Sequence, residues 1–244
     1  MLTADPAAGT PVEPATEEGS LSETVYLRLR TALMRAELKP HERLKVRDLA
    51  QQMGTSETPV REALFQLAHD GAIEIRPRYY IRVRRLTAKE YLELRDIRMK
   101  LEPLAAEKAL PHLTPEVQEK LRDTHRALRE AEESGDWTTA LQANFDFHFG
   151  IYAHSGMPTL TEVLEGLWIR LGPTLSELYP QAAPTYADRH QHLNILDAIQ
   201  AGDAYALREA IKMDLIEGGR ALSMHLARIE AKPPAPAGRK KRKE

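Results

Sequence analysis

The feature that most constrains how this chain can fold is a break in a helical pattern at MGTS, residues 53–56. Apolar residues recur at helical spacing before the break and again after it, from Val60 to Leu67. Gly54 is a helix stop signal, and Pro59 suits the first turn of a new helix because its missing N–H needs no partner there. Two short helices joined by such a tight turn predict a helix-turn-helix.

An alternating segment, AIEIRPRYYIRVRRL, follows the second of these helices. Ile73 and Ile75 alternate with polar residues, as do Ile81 and Val83, on either side of a turn near residues 77–78. This period of two predicts a short β-hairpin. A hairpin directly behind two such helices is typical of a winged helix-turn-helix.

A first helix is predicted to begin at Ser20, because Ser followed three residues later by Glu23 is a capping-box pattern. Residues 1–19 contain few large apolar groups, and we expect a disordered lead-in there. The prolines and basic residues of 232–244 predict a basic disordered tail.

The remaining sequence is helical in pattern and contains no convincing strand after residue 87. We therefore predict a mainly α protein with two domains. A winged helix-turn-helix domain takes up residues 20–87, and an all-α bundle of about six helices takes up residues 88–231.

Charge is segregated between these two parts. Residues 22–87 hold 13 basic and 8 acidic side chains, a net charge of +5, whereas residues 88–231 hold 15 basic and 23 acidic ones, a net charge of −8. A basic segment beside an acidic body suggests that only the first part meets a polyanion.

Composition narrows the possible chemistry. The chain has no cysteine, which excludes disulfides, thiolate metal sites and a thiol nucleophile, and fits a cytoplasmic protein. No run approaches the roughly 18 apolar residues that span a bilayer, and no secretory signal is visible. We expect no membrane partner.

The start of the helix after the break collects groups that bind anions. Ser56 or Thr58 can cap this helix while the other hydroxyl donates to a phosphate, and free backbone N–H groups favour an anion there. Arg61, one turn in, can reach a guanine edge or a phosphate, and Arg47 can point at the same groove. A capped surface helix with solvated arginines is the alternative. The positive charge and the adjacent hairpin favour double-stranded DNA.

The stretch LKVRDLAQQMGTSETPVREALFQLAHDGAIEIRP resembles the N-terminal domain of GntR-family transcriptional regulators, over about residues 20–87. The resemblance is strongest at TPVREAL followed by DG. It implies that Arg47, Thr58 and Arg61 contact operator DNA.

Two departures from the family pattern bear on base preference. The family usually has arginine at the position of Glu57, whose carboxylate repels phosphate but can accept a hydrogen bond from cytosine. The family usually has glycine at the wing tip, where this chain has Arg78 and Tyr79. We expect Glu57, Arg78 and Tyr79 all to lie at the DNA.

YLELRDIRMKLEPLAAEKA and FDFHFGIYAHSG resemble the FCD effector domain of the FadR branch of that family, over about residues 88–229. Many members hold a divalent metal there through one carboxylate and three histidines. The resemblance places these ligands, for zinc or a similar ion, at Asn144, His148, His192 and Asp214. The alternative is that both histidines are hydrogen-bonded pocket residues without a metal.

Arg98 matches an arginine that points into the family's effector cavity, where it can pair with a ligand carboxylate through a bidentate fork. The alternative is a surface ion pair with Glu102, one helical turn away. Arg170 is a second, weaker candidate for ligand binding. We expect His190 to be exposed.

The resemblance implies a transcriptional regulator, most often a repressor. It would bind a palindromic operator as a homodimer and respond to a small organic acid. One alternative is an all-helical metal-dependent enzyme with an accessory DNA-binding-like domain. Another is a DNA-binding protein whose helical domain has lost its ligand and only dimerises.

Overall fold

The computed structural model describes residues 17–186 and 188–231 of the 244-residue chain. The first domain comprises α1 (Glu17–Met34), α2 (Val46–Met53), α3 (Glu57–His69), β1 (Ile73–Arg76) and β2 (Tyr80–Val83). The second comprises α4 (Ala88–Ala109), a short 3-10 helix (Leu110–His112), α5 (Pro115–Ser134), α6 (Trp137–Tyr152), α7 (Pro158–Leu175), α8 (Gln191–Ala201) and α9 (Ala204–Glu230). The prediction of a mainly α protein, a winged helix-turn-helix followed by a helical bundle, is confirmed.

The turn between α2 and α3 forms as the sequence predicts. Gly54 ends α2 with φ of 65°, a left-handed conformation that costs glycine little. The apolar face of α3, which includes Val60, Leu64 and Leu67, is fully buried. It packs against α1.

The predicted hairpin is also confirmed. Strands β1 and β2 are antiparallel, with Ile73 opposite Val83 and Ile75 opposite Ile81. Ile73 and Val83 are buried in the core of the first domain. At the tip, Arg78 has a φ of 64°, a left-handed conformation that favours glycine. This agrees with the glycine that the family usually has at the wing tip.

The predicted start of α1 is wrong. The helix begins at Glu17, so Ser20 is inside it and is not its N-cap, and residues 17–19 of the expected lead-in are helical. Extending an existing helix costs little because each added residue gains a hydrogen bond, so a local capping signal need not set the boundary. Residues 1–16 and the predicted tail, 232–244, lie outside the described residues.

The bundle is held by three main helix pairs: α4 packs along α9, α5 along α6, and α8 along α9. Its centre is apolar, with Phe147, Ile151 and Ile211 fully buried. Six α-helices make up this domain within the described ranges, as predicted. None of the helices described is long and apolar enough to cross a membrane.

Helix α7 contributes to the cores of both domains. Its residues Trp168 and Ile169 pack in the core of the first domain, whereas Leu164 is buried in the bundle core. The backbone N–H of Leu86 donates to Thr174 Oγ1 on the same helix at 3.1 Å. The first domain therefore rests on a helix that also lines the bundle.

The close approach of α1 to α7 depends on Gly172. A Cβ added there would overlap the carbonyl oxygen of Leu33 and lie 2.9 Å from that of Met34. Both atoms belong to backbone that cannot swing aside. Only glycine fits at this contact between the two domains.

We expect Gly172→Ala to lower the free energy of unfolding by about 2–3 kcal/mol, because overpacking a close contact forces backbone shifts. Gly166→Ala on the same helix is the matched control, since a Cβ there meets nothing within 4 Å. That variant should gain about 0.5–1 kcal/mol from the helix propensity of alanine. Urea denaturation measures both, and equal stabilities would contradict the proposed contact.

Candidate functional site

The leading end of α3 is exposed, as are the neighbouring groups that the sequence predicts for DNA contact. The exposed side chains of this set are Arg47, Ser56, Glu57, Thr58, Arg61, Arg78 and Tyr79. Ser56 occupies the N-cap, but its side chain makes no capping hydrogen bond. The first turn of α3 therefore keeps backbone donors for an anion.

Glu57 and Arg61 form an ion pair on the exposed face of α3. Their carboxylate and guanidinium groups are 2.7 Å apart, at (i, i+4) spacing. Both side chains are about half exposed, so the pair contributes at most about 1 kcal/mol. Arg61 can therefore exchange Glu57 for a DNA acceptor at little cost, and Glu57 limits attraction to phosphate in general.

Two other arginines of the hairpin already have partners within the protein. Arg82 forms an ion pair with Glu74, and Arg84 pairs with Glu90 at 2.7 Å. The tip residue Arg78, by comparison, is exposed to solvent. Within the wing, the tip therefore offers the exposed arginine that the sequence predicts for DNA contact.

A second candidate site is a buried cavity inside the bundle. It has a volume of about 50 Å³ and lies between α4, α5, α6, α7, α9 and the segment before α8. Its polar lining includes Arg98, Asn144, His148, Tyr186, His190 and Asp214. Three of the four predicted metal ligands thus share one cavity.

The fourth predicted ligand, His192, lies directly behind this lining. Its Nε2 is 3.8 Å from Asp214 Oδ1, and His148 Nε2 is 3.2 Å from Asp214 Oδ2. The possible ligand atoms of these three residues all lie within 4.8 Å of one another. This buried cluster could hold a metal ion.

His192 carries the strongest sign of a missing partner. The residue is fully buried, and neither ring nitrogen has a hydrogen-bond partner among the described residues. Its ring stacks on Phe147 with centroids 3.8 Å apart. Burial, reinforced by neighbouring histidines, lowers the pKa of His192 well below its usual value, so the ring is neutral at pH 7. A neutral imidazole is the form that binds metals.

The structure adds a second histidine cluster that the sequence did not reveal, formed by His125, His190 and His192. The expectation that His190 is exposed is wrong, since the residue is only 8% exposed. The Nδ1 atom of His190 accepts a hydrogen bond from the backbone N–H of His192 at 3.1 Å. His190 therefore caps the start of α8. Burial lowers the pKa of His190 to about 4. With Nδ1 occupied, the neutral ring carries its proton on Nε2, which makes this cluster the poorer ligand set.

Arg98 lines the cavity and is also paired with Glu102. Its Nε and Nη2 donate to the two oxygens of Glu102 at 2.6 and 3.3 Å. The pair is buried, in contrast to the surface pair that helical spacing suggests. Its guanidinium lies 4.6 Å from the centre of the Trp168 ring.

Arg170 lies outside the cavity, against the DNA-binding domain. A Cβ added at Gly71 would come within 3.4 Å of its Nε. Residues two apart on a helix point in different directions, so Arg170 cannot face the cavity while Trp168 does. Of the two candidate ligand arginines, Arg98 on α4 therefore lines the cavity, whereas Arg170 on α7 does not.

An exposed winged helix-turn-helix above a bundle with a polar cavity defines a DNA-binding protein with a possible ligand site. The model for bacterial regulatory proteins of the gntR family matches residues 21–83, and the model for the FCD domain matches residues 93–216. The chain belongs to the GntR family, in the branch that carries an FCD domain.

Several relatives are similar over most of their length. The HTH-type transcriptional regulator McbR of Escherichia coli is 35% identical over 195 residues, covering 79% of this chain and 88% of McbR. The "Probable D-xylose utilization operon transcriptional repressor" of Paenarthrobacter nicotinovorans is 31% identical over 164 residues, covering 67% and 72%. These relatives are transcriptional regulators, and this chain is a DNA-binding transcriptional regulator rather than an enzyme.

A solved structure of E. coli McbR/YncC shows the same architecture. It matches with a TM-score of 0.74 at 33% identity, covering 84% of this chain and 98% of that one. A GntR-type regulator from Rhodococcus sp. RHA1 shares the fold, with a TM-score of 0.66 at 20% identity, covering 88% of this chain and all of that one.

We expect Arg61→Ala to weaken binding to a selected duplex by about tenfold or more, since a good arginine contact to a base is worth about 1–3 kcal/mol. Fluorescence anisotropy with duplexes recovered from a random pool by the unmodified protein measures the loss. Arg126→Ala is the control, because Arg126 on α5 is exposed and paired with Asp123. Unchanged affinity of Arg61→Ala would contradict a DNA-contacting role for Arg61.

Proposed function

We propose that this regulator is a cytoplasmic homodimer that represses transcription from a palindromic operator and responds to a small carboxylate. One recognition helix reads too few bases for useful specificity, whereas two read half-sites about one helical turn apart. The relative from P. nicotinovorans is named a repressor. That name supports the proposal that this regulator represses transcription. The cavity supports the proposal that it responds to a ligand.

The observation that carries the proposal is the buried polar cavity with the unpartnered nitrogens of His192 behind it. Buried polar atoms are nearly always satisfied, so the unpartnered Nε2 of His192, which lies on the side of Asp214, points to a ligand there. The residues fit a divalent metal such as zinc, which takes imidazole and carboxylate donors. His148, His192 and Asp214 would hold it, with the amide oxygen of Asn144 as a weaker fourth ligand.

The charges of the cavity favour an effector that binds together with such an ion. Arg98 is balanced by Glu102, and the lowered pKa values of His190 and His192 leave their rings neutral at pH 7. The lining therefore offers a carboxylate little net positive charge. A bound divalent ion supplies that charge. The N–H groups of Arg98 that Glu102 does not use can then orient the acid.

The size of the cavity limits the effector. A volume of about 50 Å³ has room for roughly four water molecules. A short-chain acid fits this conformation, and a larger one requires the segment before α8 to move. The effector can regulate DNA binding only by binding two states of the dimer unequally.

We expect Asn144→Asp to tighten zinc binding about tenfold or more, because a carboxylate is a stronger ligand than a neutral amide. Asp214→Ala should abolish binding, whereas the control Asp197→Ala, on the exposed face of α8, should not change it. Isothermal titration of metal-free protein with zinc chloride measures all three. If neither the unmodified protein nor Asn144→Asp binds zinc, the metal proposal fails.

We further expect a short-chain acid to raise the melting temperature of zinc-loaded protein and to change its affinity for a selected duplex. Differential scanning fluorimetry against a panel of mono- and dicarboxylates, followed by anisotropy, measures both. Light scattering should give the mass of a dimer. A dimer that responds to no acid would favour the alternative in which the helical domain has lost its ligand.

A further inference from the structure

An apolar groove lies between the recognition helix α3 and the hairpin. It has a volume of about 380 Å³, and its apolar lining includes Phe65, Pro77 and Tyr79. Phe65 is 63% exposed and Tyr79 is 71% exposed. Large apolar side chains grouped on a surface mark a place where something binds.

The rim of this groove is positively charged. It includes three arginines, Arg61, Arg76 and Arg78. The described residues that line the groove include no carboxylate. Glu57, which pairs with Arg61, lies outside the groove. The Arg76 guanidinium lies 4.7 Å from the centre of the Tyr79 ring, which places that cation beside an apolar lining residue. An occupant with apolar and anionic parts side by side suits this surface.

The sugar–phosphate strand of DNA has that composition, since each nucleotide joins an apolar deoxyribose face to a phosphate. The groove is also continuous with the exposed end of α3. Residues of α3 and of the wing tip line this groove together, so a duplex that contacts both elements would place one backbone strand between them. The groove is where that strand would pass.

We propose that this groove seats one sugar–phosphate strand, with Phe65 and Tyr79 against deoxyribose and the rim arginines at its phosphates. Phe65 is eight residues beyond Glu57, about 12 Å along the helix axis from the leading end. That distance suits a contact to the backbone at the groove edge more than a contact to a base. The proposal rests on DNA binding by the first domain and is independent of the metal, the effector and the dimer.

The test is Phe65→Ala, with binding measured by anisotropy on a selected duplex and on a scrambled duplex of the same composition. Because deoxyribose is the same at every base, the affinity should fall about fivefold to tenfold on both duplexes. The slope of log affinity against log salt should not change, since no charge is removed. Arg76→Ala should instead make that slope shallower by about 0.9, the value for one phosphate that the protein no longer neutralises.

Tyr205→Ala is the matched control, since Tyr205 is an aromatic residue that is 76% exposed at the start of α9. Its DNA affinity should equal that of the unmodified protein. Circular dichroism melts of both variants should match the unmodified protein, since both side chains are exposed. Phe65→Leu should retain most of the affinity, because it keeps an apolar contact.

Two results would overturn the proposal. One is unchanged affinity of Phe65→Ala for both duplexes. The other is a loss confined to the selected duplex that disappears when its thymines are replaced by deoxyuridine, which would mean that Phe65 contacts a thymine methyl group. If the unmodified protein binds neither duplex, DNA binding itself fails, and that outcome is distinct from failure of the groove alone.

Discussion

The buried carboxylate of Glu102 is the interaction on which the rest of the bundle depends. It is fully buried on α4, where an unpaired charge would cost several kcal/mol. Arg98, Tyr152 and Trp168 all donate hydrogen bonds to it. Because these donors come from α4, α6 and α7, the three helices must keep their mutual rotation for the carboxylate to stay satisfied.

Trp168 extends this constraint from the cavity to the DNA-binding domain. Its indole N–H donates to Glu102 at 2.7 Å, while its ring packs in the core formed with α1 and α3. Trp168 therefore connects the Arg98–Glu102 pair to the core of the domain that carries α3. Close packing at Gly172 leaves α1 no free space against α7. The cavity lining and the core beneath the recognition helix are thus linked through packed side chains.

Much of the architecture and one candidate site could be predicted from the sequence, for reasons visible at particular residues. Gly54 and Pro59 mark the tight turn, and the period-two pattern around Ile73 and Val83 marks the hairpin. Resemblance grouped His148 with the other predicted metal ligands, and the fold brings them into one region. The predicted start of α1 was wrong because a short capping pattern does not by itself fix a helix boundary. The helix begins at Glu17, three residues before the predicted Ser20.

By itself, the sequence determined where helices and strands form and which of their faces are apolar, since those depend on neighbours a few residues apart. Through resemblance, it also indicated a DNA-binding domain of the GntR type, which the family match confirms. Only the tertiary structure decided that His190 is buried, that Arg170 faces away from the cavity, and that Arg98 pairs with a buried Glu102. Those outcomes depend on how helices far apart in the chain rotate against one another. That rotation is set by the packing and charge pairing of the whole bundle, which no local pattern contains.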